Sequence, residues 1–171
     1  MARSAAHLVF LTVLGSWSTH GQALPARASL CHAPEVTYFS CQTSAKKTIS
    51  LCGNASNALQ YRFGKPRAVE LQFPKDSTDG AKQFKYSHFF RPQTDYWELR
   101  FANNNVNYTV FERWNDGKKT GGVEIRLANA KEGQEEQIAC VGKFSSKLDA
   151  LKSIVPCDAD SALNMGNCPA K

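Results

Sequence analysis

The sequence has no long hydrophobic run, no C-x-x-C pair and few histidines. Each absence excludes something. A membrane-spanning helix needs about 20 apolar residues, and the most apolar stretch, residues 8–17 (LVFLTVLGSW), falls well short of that. Zinc sites bring cysteines in closely spaced pairs, and no two cysteines here stand that close. The four histidines are His7, His20, His32 and His88. No nucleophile elbow, phosphate loop or metalloprotease helix motif surrounds any of them. No cofactor and no metal are expected. Acidic residues are scarce relative to basic ones, 15 against 21, which leaves a net charge of +6. That excess favours an anionic partner: nucleic acid, anionic polysaccharide or an anionic membrane face.

What is present begins at the N-terminus. A basic start, Met1-Ala2-Arg3, precedes the short apolar run, and Gly21-Gln22-Ala23 supplies small residues before a cut. This is the layout of a secretory signal peptide, cleaved after Ala23, with Ala28 as a second position. The chain then divides into a signal peptide (1–23), a linker (24–35), an antiparallel β domain (36–142) and a C-terminal helix with a disulfide loop (143–171). The mature protein is expected in the periplasm or outside the cell, and not to span the membrane. An exported, disulfide-bonded chain argues against nucleic acid as its main partner. A protein or an anionic envelope polymer remains.

Six cysteines follow the cut: Cys31, Cys41, Cys52, Cys140, Cys157 and Cys168. An even number in an exported chain implies disulfides. Cys157 and Cys168 frame a short loop and are expected to pair. Cys41 has two rival partners. Cys52 stands nearly opposite it across the Lys46-Lys47 turn, and Cys140 lies in the last strand.

From Val36 onward, apolar and polar residues alternate in runs broken by turn residues, the pattern of half-buried antiparallel strands. Nine strands are expected, beginning near Val36, Thr48, Leu59, Val69, Phe84, Trp97, Tyr108, Val123 and Gln137. Asp116-Gly117 is a hairpin signal. The count and spacing predict a small antiparallel β-barrel or sandwich. After Lys143, Ser145 or Ser146 caps a short helix whose face is Leu148, Leu151, Ile154 and Val155, ended by Pro156.

The residues expected to carry binding are Lys82, Tyr86, His88, Arg113, Trp114, Lys118 and Lys119. Lys46, Lys47, Arg62, Lys65, Arg67 and Lys85 add positive charge. If the turns gather at one end they form a basic rim, and otherwise these are ordinary solvated charges. Phe89 and Phe90 are adjacent, so one of them must face away from the core. The leading functional expectation is a non-enzymatic binding protein of the envelope or extracellular space. One alternative is an inhibitor or immunity protein against a cell-wall hydrolase. Another is a hydrolase that uses His88 with Glu98 or Glu112.

The runs FSCQTSAKKTISLC, LQYRFG, VELQFP and NYTVFERW resemble a group of small exported bacterial proteins of unassigned activity, over residues 38–140. More distantly, a secreted antiparallel barrel with one cysteine in its first strand and another in its last is similar to the periplasmic inhibitors of C-type lysozyme. That likeness implies a Cys41–Cys140 bridge. The inhibitors' Ser-Gly-x-x-Tyr and Tyr-x-x-x-Thr-Lys-Gly loops have no match in residues 79–84 or 113–121.

Overall fold

The computed structural model describes residues 29–54, 56–131 and 133–168. The expected signal peptide, and residues 24–28 of the expected linker, lie outside the described residues. Among the described residues ten strands form: β1 (Val36–Gln42), β2 (Thr48–Gly53), β3 (Leu59–Lys65), β4 (Ala68–Phe73), β5 (Lys85–Arg91), β6 (Thr94–Asn103), β7 (Val106–Asn115), β8 (Lys118–Leu127), β9 (Glu136–Ala139) and β10 (Ser145–Ser146). They make two antiparallel sheets of five, ordered β10-β1-β2-β3-β4 and β5-β6-β7-β8-β9. Of the two expected architectures this is the sandwich. β4 does not pair with β5, and the chain between them turns through a short 3-10 helix, Gly80–Gln83.

The two sheets face each other across the core. Across the first sheet, Phe39, Leu51, Tyr61 and Phe73 stand in register on neighbouring strands. At one end of this rung Phe39 packs on Phe144, whose ring lies against Gly121. At the other, Tyr61 and Phe73 pack on Phe101, four residues along β6 from the Gly121 row. The rung of the first sheet therefore runs obliquely over the second, from the Gly121 row on β8 to Phe101 on β6. Phe39, Ile49, Leu51, Tyr61, Phe84, Leu99 and Val110 fill the space between the sheets.

The second face of the first sheet is covered by residues 29–35. Cys31 is bonded to Cys52, the Leu30 amide donates to Ser50, and Arg62 donates to the Leu30 carbonyl and to both carboxylate oxygens of Glu35. This part of the expected linker is a tied-down strap. Arg62 is buried beneath it and belongs to no basic rim.

Cys41 bonds to Cys140, and Cys157 to Cys168. The rival Cys41–Cys52 pairing fails for a geometric reason. Cys41 pairs in register with Ile49 on the core face, whereas Cys52 points to the strap side.

The expected C-terminal helix is corrected. Ser145 and Ser146 pair with β1 as a short strand, and the Ser146 hydroxyl also accepts from the Leu148 amide at 3.4 Å. The helical stretch is a 3-10 segment, Leu148–Ser153. Leu148, Leu151 and Val155 are buried as expected. The backbone of β1 competes for the two serines and shortens the helix. The chain then crosses to β5, where the Tyr86 amide donates to the Pro156 carbonyl and Asp158 N–H to the Tyr86 carbonyl.

Candidate anion-binding groove

The two sheets meet where Thr43 bridges Cys140, the Cys140 amide donates to Gly121, and Val141 N–H donates to Gln42. Beside this seam a groove of about 460 Å³ opens between the β7–β8 hairpin and residues 139–144. Arg113, Lys118, Lys119, Thr120 and Phe144 line it. Gly121 allows Phe144 to close its floor, because a Cβ there would stand 2.6 Å from the Phe144 ring.

The groove's cations differ in what holds them. Lys119 Nζ bonds Glu112 at 2.7 Å and lies over the Phe144 ring, 5.3 Å from its centroid. Arg113 stacks over Phe111, 4.4 Å from its centroid, and donates to Glu98 and Glu124. Among the described residues, Lys118 has no acidic partner. The same holds for Lys46, in the turn beside Thr43, and for Lys143, between the lining residues Gly142 and Phe144. All three are exposed.

Three of the seven expected binding residues, Arg113, Lys118 and Lys119, therefore converge on this groove. Lys82 does not join them. It precedes β5, at the opposite end of that strand from the β7–β8 hairpin, and pairs with Asp79 at 3.2 Å. Trp114 is half-buried on the other face of β7 from Arg113. Tyr86 is buried and His88 half-buried, and both line a separate pocket of about 230 Å³ with Phe90, Asn164 and Met165. Phe90 is the member of the Phe89-Phe90 pair left open to solvent. Lys47 pairs with Glu70 and Lys85 with Asp160, so much of the expected rim is neutralised locally.

The carboxylates expected around His88 do not assemble there. His88, Trp97 and Glu112 stand in one row on one face, while Glu98 points to the other. Glu98 and Glu112 thus cannot face each other across a cleft. His88 stacks on Trp97 with ring centroids 3.7 Å apart, and its Nε2 bonds Asp95 at 2.9 Å. No hydroxyl or thiol is hydrogen-bonded to the His88 ring among the described residues. The sequence places Asp95 in the turn after residue 91, whereas it lies in β6, two residues before Trp97 and so on the His88 face.

Asp158 was also missed. It is fully buried in the C-terminal disulfide loop and accepts from Arg100 at 2.8 Å. No periodicity marks a loop aspartate that finds its partner 58 residues away. No family model, no curated protein and no solved structure matches this chain.

Proposed function

We propose that the protein is exported and acts as a non-enzymatic binding protein, holding an anionic group of an envelope or extracellular polymer in the groove beside the Cys41–Cys140 seam. One observation carries the reading. Lys118 and Lys119 line the groove, Lys143 lies in the chain between its lining residues Gly142 and Phe144, and Lys46 lies in the turn next to Thr43, which bridges Cys140. Three of these four cations have no acidic partner among the described residues. Exposed charges in water are individually weak. A repeating anion that meets several at once gains from each, and salt screens the gain. Three disulfides suit an oxidising compartment. The sheet register disfavours a hydrolase built on His88 with Glu98, since the two point to opposite faces.

Retention on immobilised dextran sulfate, with neutral dextran as control, tests this. The oxidised protein is expected to stay bound to the sulfated resin at low salt. Lys118→Glu with Lys143→Glu should elute markedly earlier, and Lys82→Glu should elute with the wild type. Equal elution of all three proteins would contradict the assignment.

A further inference from the structure

On the outer face of the second sheet, next to the groove, lies a cleft of about 170 Å³. Its lining includes Ser87, Glu98, Asn107, Thr109, Glu124 and Arg126, and the C-terminal disulfide loop walls it with Asp158 and Ser161. The position is unusual for so many charges. Sheet faces away from a core usually present solvated side chains, whereas Glu98 and Glu124 keep only 16% and 21% of their side-chain surface exposed.

These charges are largely matched within the protein. Arg113 serves both Glu98 and Glu124, Arg100 serves Asp158, and Arg126 stands 3.8 Å from Glu135. The site therefore offers directed hydrogen bonds more than net charge. Several groups lack a hydrogen-bond partner among the described residues: the Asn107 amide, the Thr109 hydroxyl, Glu98 Oε2 and the Arg126 guanidinium. Donors and acceptors so mixed, with little apolar surface between them, suit a ligand rich in hydroxyl groups.

The cleft and the groove are neighbours through one residue. Arg113 lines the groove and bonds Glu98 and Glu124, two of the four carboxylates that line the cleft, the others being Glu135 and Asp158. From Arg113 to Asn107 is six residues along β7, roughly 20 Å of extended strand. A ligand of that length would reach from one to the other.

We propose that the bound polymer is an acidic polysaccharide, with an acidic sugar in the groove and a neutral, hydroxyl-rich sugar in the cleft. This inference rests on the groove being an anion site.

Amide chemical-shift titration of the full oxidised protein tests it with three probes: a tetrasaccharide of alternating glucuronate and N-acetylglucosamine, neutral chitotetraose, and inorganic polyphosphate. The acidic tetrasaccharide is expected to move amides of Asn107 and Thr109 together with those of Lys118–Gly121. Asn107→Ala with Thr109→Val should weaken it by about tenfold or more, the scale of one or two good hydrogen bonds. The same variant should leave polyphosphate affinity unchanged, which also shows that it is folded. If polyphosphate and the tetrasaccharide bind alike and the variant affects neither, the polysaccharide inference is overturned and the groove stands. If chitotetraose binds as well as the acidic tetrasaccharide, and Lys118→Glu affects neither, the inference is overturned as well. If neither anionic probe binds, the groove reading itself fails.

Discussion

Glu98 and Glu124, on the two strands that flank β7, hold the same guanidinium: Arg113 donates to Glu98 Oε1 at 2.7 Å and to Glu124 Oε1 at 2.8 Å. One cation thus serves two carboxylates. Burial raises the Glu98 pKa above its ordinary value of 4.5, and the Arg113 hydrogen bond and charge only partly oppose this, with Glu124 adding repulsion. Since the folded pKa lies above the unfolded one, Glu98 costs stability as pH rises from about 4.5 through its folded value. Arg113→Met removes the shared cation. In urea unfolding it should lose roughly 2–4 kcal/mol at neutral pH, less than a fully buried pair because both partners keep some exposure. Part of that loss should be regained near pH 5, as the stranded carboxylates protonate. A loss that does not change with pH would contradict the shared-cation account.

Glu35 works in the opposite direction. Burial opposes its ionisation, but hydrogen bonds from Arg62 and the His32 amide, with the Arg62 charge, outweigh it and hold the pKa below 4.5. A depressed folded pKa gives stability that is present above the unfolded pKa and lost as pH falls through the folded one. The thermal unfolding midpoint should therefore fall on acidification below about pH 4.5. Glu35→Gln should flatten that acid limb and lower the midpoint at neutral pH. An unchanged acid limb would show that the strap is not held by this pair.

The disulfides should differ in weight. Cys41 and Cys140 are 99 residues apart and Cys157 and Cys168 only 11, so chain entropy assigns them about 5 and about 3 kcal/mol. Replacing both cysteines of each pair by serine should reproduce that order in denaturant midpoints. The Cys157/Cys168 variant should also weaken binding in the cleft, because the loop that holds Asp158 forms its wall. Polyanion retention should be unaffected. Equal losses of both binding activities would mean that the loop supports the sheet as a whole.

Gly121→Ala tests the groove floor. Its Cβ would be 2.6 Å from the Phe144 ring and 3.2 Å from the Phe111 carbonyl. Phe144 must then move, and the contact between Lys119 and its ring goes with it. Stability should fall by about 1–3 kcal/mol, the usual scale of overpacking. Retention on the sulfated resin should fall too. Full retention would show that Phe144 does not shape the groove.

Alternation made the strands legible in the sequence. Runs such as Trp97, Leu99 and Phe101 announce a buried face, and all nine expected strands are present. What alternation cannot supply is the relation between sheets. The Phe101 contacts of Tyr61 and Phe73 and the Cys41–Cys140 pairing join residues far apart in sequence, which no local pattern encodes. Leu148, Leu151, Ile154 and Val155 mark a helical face in sequence, yet the edge of β1 takes the preceding Ser145–Ser146 as a strand and only a 3-10 segment follows. Lys118 and Lys119 were found because they sit on a hairpin beside Asp116-Gly117. Asp158 and Asp95 were not, because their partners are set by tertiary contact and by cross-strand register.

The most direct test of the groove is the salt dependence of its binding. Titrating dextran sulfate into the oxidised wild type and into Lys118→Glu/Lys143→Glu, over a series of salt concentrations, gives two slopes of affinity against salt. The groove assignment requires a steep wild-type slope that is clearly shallower in the double variant, with both proteins equally folded. Parallel slopes and equal affinities would place the anion site elsewhere on the molecule.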